Sequence, residues 1–287
     1  MLDRRKFVLG AAVTATLGTT VSTTLAGRAA AAPAPVLPTA GTGSPTRAAG
    51  VFTDPAGTAF ALVHLDGAWV LVDESGSVRI TTGLAGADLV DVSTDGDRVV
   101  AVGALSGDPT AAIWESTDGT TWHEARRLHG VRSEFTAVGG GLALGSVVKH
   151  ERASLVRIAA RRTANGWSTV PVRGLEWTDG IKATAVARTA TGWVAAAVGT
   201  AGTVLHTSRD GVAWSARSGV DEVAVRGLTA DGHWVGNDVV DATPLAGTLD
   251  AGRRRPDVPA DAKALGAVGA RTGWLAGGRL ITAEAAR

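Results

Sequence analysis

Charged residues of this chain recur where short apolar runs begin. Asp88 opens "DLVDV", Glu134 opens "EFTAV" and Lys182 opens "KATAV"; Glu222 and Lys263 stand just ahead of "AVRGL" at Ala224 and "ALGAV" at Ala264. Two carboxyl groups facing one another across a cleft are the minimum equipment for breaking a glycosidic bond, one as acid and the other as base or nucleophile. In that chemistry Glu134 is the acid and Asp88 the base, with Glu222 as a further candidate. The same acids, together with Lys182 and Lys263, also suit a ring that only binds a polar ligand. The plainest reading is that they are charges facing water.

Other chemistry is thinly represented. His64, His123, His129, His150, His206 and His233 form no H-E-x-x-H pattern, so no metal is expected. Asp91, Asp95 and Asp97 in "DVSTDGD" have a calcium-like composition, but Asp95-Gly96 reads first as a hairpin turn. "GGGL" at Gly139 is a turn without the strand-to-helix setting of a phosphate loop, and "RRRP" at Arg253 is expected in a solvated surface loop. With no cysteine, disulfides, thiolate sites and cysteine nucleophiles are excluded. No cofactor is called for.

The elements that must position these residues are strands. Runs of Val, Ala, Leu and Thr are short and punctuated by Gly, and no helical period persists beyond the amino terminus. From Asp88 the starts fall at Glu134, Lys182, Ala224 and Ala264, intervals of 46, 48, 42 and 40 residues. A second strand follows in each unit: "RVVAVG", "LALG", "WVAAAVG", "WVGN" and "WLAGG". A third leads into a Gly turn and a fourth starts at Trp: Asp118-Gly119 before Trp122, Asn165-Gly166 before Trp167, Asp210-Gly211 before Trp214. Four strands in roughly 44 residues is the pattern of a β-propeller blade.

The turn itself narrows the family. Ser116, Asp118, Gly119 and Trp122 return ninety-two residues later as Ser208, Asp210, Gly211 and Trp214. This S-x-D-G-x-x-W pattern resembles the Asp-box (BNR repeat) of the sialidase-like superfamily of propellers, although Asp and Gly are adjacent here; a looser copy falls near Thr248, Asp250 and Gly252. The resemblance implies a structural role: Ser and Asp bond turn amides, Gly takes a positive φ and Trp wedges between blades. Sialidases of that superfamily use a tyrosine nucleophile and an arginine cluster. This chain has no tyrosine, so it is a non-sialidase member of the pattern.

The blade count expected is five, with six the alternative. Four units run from about 87 to 262, and Gly50–Gly86 with Lys263–Arg287 leave 62 residues, which suits one blade shared by both chain ends to close the ring. Ahead of this domain, 51–287, the residues 32–50 form a Pro, Gly and Thr linker expected to be disordered. Residues 1–31, with Arg4-Arg5 before Phe7 and a weakly apolar run, resemble a twin-arginine export signal, which implies the twin-arginine translocase as a transient partner and an extracytoplasmic destination without a stable membrane span. Its removal changes the formal charge from +1 to about −2, which argues against nucleic acid as a partner. Two classes of function fit: a non-catalytic propeller acting as a binding or assembly scaffold for a protein or envelope glycan, which is preferred, and a glycoside hydrolase or lyase.

Overall fold

The computed structural model describes residues 47–107, 109–129, 132–149, 154–175, 182–199, 202–249, 253–268 and 271–284. The export signal, most of the linker, and Asp250 and Gly252 of the looser turn copy lie outside them.

All regular structure in these residues is antiparallel strand, arranged as six consecutive meanders. The first holds β1 (Arg47–Thr53), β2 (Ala59–Leu65), β3 (Ala68–Val72) and β4 (Val78–Ile80). The second holds β5 (Ala87–Asp95), β6 (Arg98–Leu105), β7 (Ala111–Ser116) and β8 (His123–Arg127). The third holds β9 (Ser133–Gly139), β10 (Leu142–Lys149), β11 (Ser154–Thr163) and β12 (Gly166–Pro171). The fourth holds β13 (Lys182–Thr189), β14 (Gly192–Gly199), β15 (Gly202–Ser208) and β16 (Ser215–Asp221). The fifth holds β17 (Val223–Leu228), β18 (His233–Asp238), β19 (Pro244–Thr248) and β20 (Arg253–Arg254). The sixth has three strands among the described residues, β21 (Lys263–Val268), β22 (Arg271–Ala276) and β23 (Arg279–Glu284). Arg253 and Arg254, expected in a loop, form the short outer strand β20.

Small apolar residues run through the middle strands because both faces of every sheet are covered; in β7 all six residues are buried. Each pair of neighbouring sheets encloses its own apolar cluster. Phe52, Leu71, Leu89 and Trp122 fill the first gap, Ile113, Phe135 and Trp167 the second, Leu142, Leu144 and Trp214 the third. Leu205, Val225 and Trp234 fill the fourth, and Val235, Ala246 and Trp274 the fifth. A further cluster joins Val51, Val63 and Val70 of the first sheet to Leu265 and Leu280 of the sixth, so the ring is closed. This is a six-bladed β-propeller.

The expected five blades, with one shared between the chain ends, are therefore corrected to six, each built from one continuous segment. The sequence arithmetic fell one blade short because it assumed about 44 residues and four full strands per blade. Among the described residues the sixth blade has three strands, and β1 begins at Arg47, inside the stretch assigned to the linker. Among the described residues the seam is closed by side chains: besides the apolar cluster, Glu74 accepts hydrogen bonds from Arg271 (2.9 Å) and Thr282.

A β-bulge interrupts the pairing of every innermost strand with its neighbour, at Ala48/Gly50, Leu89/Asp91, Ala183/Ala185, Val225/Gly227 and Ala264/Gly266, and in β9 opposite Leu144/Gly145. The bulge swings the carbonyl of the residue two places earlier toward the second strand. Gly103, Gly145 and Gly236 face it there, and a Cβ on any of them would overlap the carbonyl oxygen of Asp88, Glu134 or Ala224. This explains why "AVG", "ALG" and "WVG" recur in second strands. Gly103→Ala is expected to cost about 2 kcal/mol through forced backbone displacement, read as a lower midpoint in chemical denaturation; an unchanged midpoint would contradict the close approach.

Candidate functional site

The bulges supply a register that superimposes the six inner strands. Two positions before the extra residue the chain places Arg47, Asp88, Glu134, Lys182, Ala224 and Lys263, one per blade. The extra residues themselves are Ala49, Val90, Thr136, Thr184, Arg226 and Leu265. Behind them come Gly50, Asp91, Ala137, Ala185, Gly227 and Gly266. Sequence comparison had put Ala264 at the ring position and had no candidate from the first blade. The bulge register moves the position to Lys263 and adds Arg47.

These strands line one cavity of about 660 Å³, with Arg47, Glu134, Lys182 and Lys263 toward its mouth and Asp91 and Arg226 deeper. Ala242 and Asp261, on connections at the same end of the blades, complete the rim. Asp88 and Glu134 are each paired with a cation of a neighbouring blade. Asp88 forms an ion pair with Arg47 of the preceding blade. Both oxygens of Glu134 are within 2.6–2.8 Å of Lys182 Nζ in the following blade. Glu222 lies away from the cavity at a left-handed φ of 57°, with Arg253 at 3.7 Å.

The carboxyl that stands out is Asp91, the only residue larger than alanine in its ring. Its Oδ1 accepts from its neighbour's amide, Val92 N (2.8 Å), and its Oδ2 from Val138 N of the next blade (2.7 Å). Although one edge opens onto the channel, protein surrounds it. Burial pushes its carboxyl up to about 8, against the opposing pull of the two amides and the Arg226 guanidinium. Sequence reading weighed Asp91 only with Asp95 and Asp97, as a calcium-like group in "DVSTDGD", and not as a residue of the cavity. Asp95 and Asp97 belong to the hairpin at the other end of the strand, where Arg162 approaches them at 3.1 and 4.0 Å. Among the described residues no group of three His, Asp or Glu side chains is placed to hold a metal ion.

The Asp-box-like turns sit at the blade ends opposite the cavity mouth. Ser116 Oγ accepts from Gly119 N (2.8 Å), and Asp118 Oδ1 accepts from Thr120 N and Thr121 N (2.8 and 2.7 Å). Ser208 and Asp210 repeat these bonds with Gly211, Val212 and Ala213. Gly119, at φ 74°, rests on Phe52 of the preceding blade, and Trp122 meets the same ring edge to face at 6.3 Å. Each turn also pins the link between two blades: Trp122 N donates to Thr82 O (3.0 Å) and Trp214 N to Arg173 O (2.9 Å). Asn165 and Gly166 form a plain hairpin, with Gly166 at φ 95°, and Trp167 Nε1 donates to buried Glu115 (2.8 Å).

Solved structures share this architecture at low identity. A protein assigned as a gluconolactonase matches with a TM-score of 0.56 at 12% identity, over 83% of this chain and 88% of its own. A catalytically inactive virginiamycin B lyase from Staphylococcus aureus, solved with quinupristin, gives 0.50 at 11%, over 83% and 84%. A streptogramin B lyase gives 0.50 at 10%, over 85% and 84%. The shared feature is the β-propeller. No protein-family model matches the chain, and no curated protein matches it by sequence.

Partial burial raises the Asp118 carboxyl, but the Thr121 and Thr120 amides and the Ser116 hydroxyl outweigh it and hold it at about 2. With the folded value below the unfolded one of about 3.9, the stabilisation is complete above pH 4 and is lost as pH falls through about 2. Asp118→Ala is therefore expected to lower the melting temperature by about 2–4 °C at pH 7, a gap that closes between pH 4 and pH 2. A gap that persists at pH 2 would show that the carboxylate is not its source.

Proposed function

We propose that this chain is an exported β-propeller that binds a glycan or protein segment in its axial cavity without transforming it. The supporting observation is the cavity itself: all six inner strands contribute to it, it is large enough for a sugar ring or a pair of side chains, and the mouth carboxylates Asp88 and Glu134 are each committed to a cation. Export rests on the Arg4-Arg5 leader. The Asp-box-like turns, with their side chains spent on turn amides and blade contacts, serve the scaffold in this reading.

One observation favours a second reading, a glycoside hydrolase or lyase. Asp91 is a carboxyl held largely protonated at neutral pH inside the cavity, as a general acid must be. In that reading Asp91 takes the acid's role that sequence gave to Glu134.

The experiment presents the purified chain with a panel of envelope and extracellular polysaccharides, measuring binding by calorimetry and product by new reducing ends or unsaturated termini. Val90 exposes its side chain to the cavity, so Val90→Trp fills it. Binding without product, weakened at least tenfold by Val90→Trp in protein with an unchanged melting curve, is the expected result. Product that disappears in Asp91→Asn overturns the non-catalytic reading in favour of the enzyme; product lost only in Glu134→Gln returns the acid's role to Glu134.

A further inference from the structure

The ring of bulged residues has two unlike halves. Ala49, Val90 and Leu265, on three successive blades across the seam, make an apolar arc; Thr136, Thr184 and Arg226, on the other three, make a polar one. Thr184 is spent, since its hydroxyl donates to Val225 O (2.5 Å). Arg226 is exposed to the cavity, and no ion pair holds it among the described residues.

Charge around this floor is already matched in most directions. From β1, Arg47 is paired with Asp88 of β5; from β9, Glu134 is paired with Lys182 of β13. Asp241, in the turn after β18, accepts from Thr243 N (2.9 Å) and is near Arg255. Lys263 of β21 has Asp261 close by in sequence on the same rim. What remains is Arg226 of β17 facing Asp91 of β5.

We propose that this floor binds an organic anion with an apolar body, its charged group on Arg226 and its body against Ala49, Val90 and Leu265, and that binding is coupled to protonation of Asp91. The proposal rests on the axial cavity being the ligand site, and names the chemistry of what enters it. When Asp91 is neutral, Arg226 presents an uncompensated positive charge to the cavity. When Asp91 is ionised, it supplies that counter-charge itself and repels an incoming anion. Asp91 is set apart from its five ring equivalents, all Gly or Ala, by having a group able to do this. Gly50 leaves the space that the carboxyl occupies, an added Cβ there falling 3.4 Å from Asp91 Oδ1. Because burial holds the carboxyl at about 8 in the free protein, affinity is expected to be level below about pH 7 and to fall about tenfold per pH unit well above 8. Proton uptake on binding should approach one at high pH.

The test is calorimetric titration of the whole chain with hexanoate and with hexan-1-ol as its uncharged counterpart, at pH 6.5 and pH 9, in two buffers of different ionisation enthalpy. Hexanoate binding that exceeds hexanol binding at least tenfold at pH 6.5, weakens at pH 9 and takes up protons there supports the proposal. Arg226→Gln should remove the preference for the anion. Asp91→Asn should keep hexanoate binding while abolishing its pH dependence; if that variant fails to fold, the buffer comparison on the unaltered chain still measures the proton. Equal binding of acid and alcohol, no hexanoate binding at pH 6.5, or binding with no pH dependence overturns it. If polysaccharide binding is nevertheless blocked by Val90→Trp, this proposal fails alone; if nothing enters the cavity, the binding reading fails with it.

Discussion

Six strands must reach one axis without colliding, and the bulge near the start of each inner strand is how this chain meets that constraint. An extra residue bends the strand and turns its side chain toward the centre, while the displaced carbonyl needs room in the strand behind. Glycine at 103, 145 and 236 provides that room. The cavity lining, the mouth ring and the position of Asp91 all inherit their geometry from this one irregularity. Shift the bulge by one residue and Lys263, Glu134 and their equivalents turn toward a neighbouring blade instead of the opening.

Between blades the structure relies on packing reinforced by a few polar staples. Glu115 is the most buried of these. It takes the Trp167 indole N–H at 2.8 Å, Arg98 at 2.9 Å and Arg162 Nε at 3.5 Å, bridging the second and third blades. A buried ionic cluster of this kind contributes little net stability, because desolvation offsets most of its attraction. Its directed bonds from Trp167 and Arg162 do fix how one blade sits against the next. The Asp-box-like turns act at a different level, holding the link between blades at Thr82 and Arg173.

Much of the architecture was legible in the sequence. Repeated strand openings, second-strand glycines and tryptophans after Gly turns are local signals, and each marked a real element. The blade number was not legible, because a blade with three strands among the described residues and a first strand hidden in a Pro-rich stretch carry no local mark of their own. The site was legible in part. Glu134, Lys182 and Lys263 line the same cavity, but the ion pair between Glu134 and Lys182 joins residues almost fifty positions apart. Arg47 reads as linker, Arg226 as an ordinary strand residue and Asp91 as one of three acids in a calcium-like stretch. What distinguishes all three is the bulge register, a property of strand pairing that no single stretch of sequence displays.

The seam between the first and sixth blades carries a consequence for how the molecule comes into being. Each of the other blades can settle against a predecessor already made, but the first has one face bare until β21, β22 and β23 exist. Lys263 and Leu265, which complete the cavity, arrive with that same blade. During synthesis the propeller is thus an open arc with an apolar flank and an unfinished opening until its sixth blade is made. Completion of the cavity and closure of the core then come together, in one event.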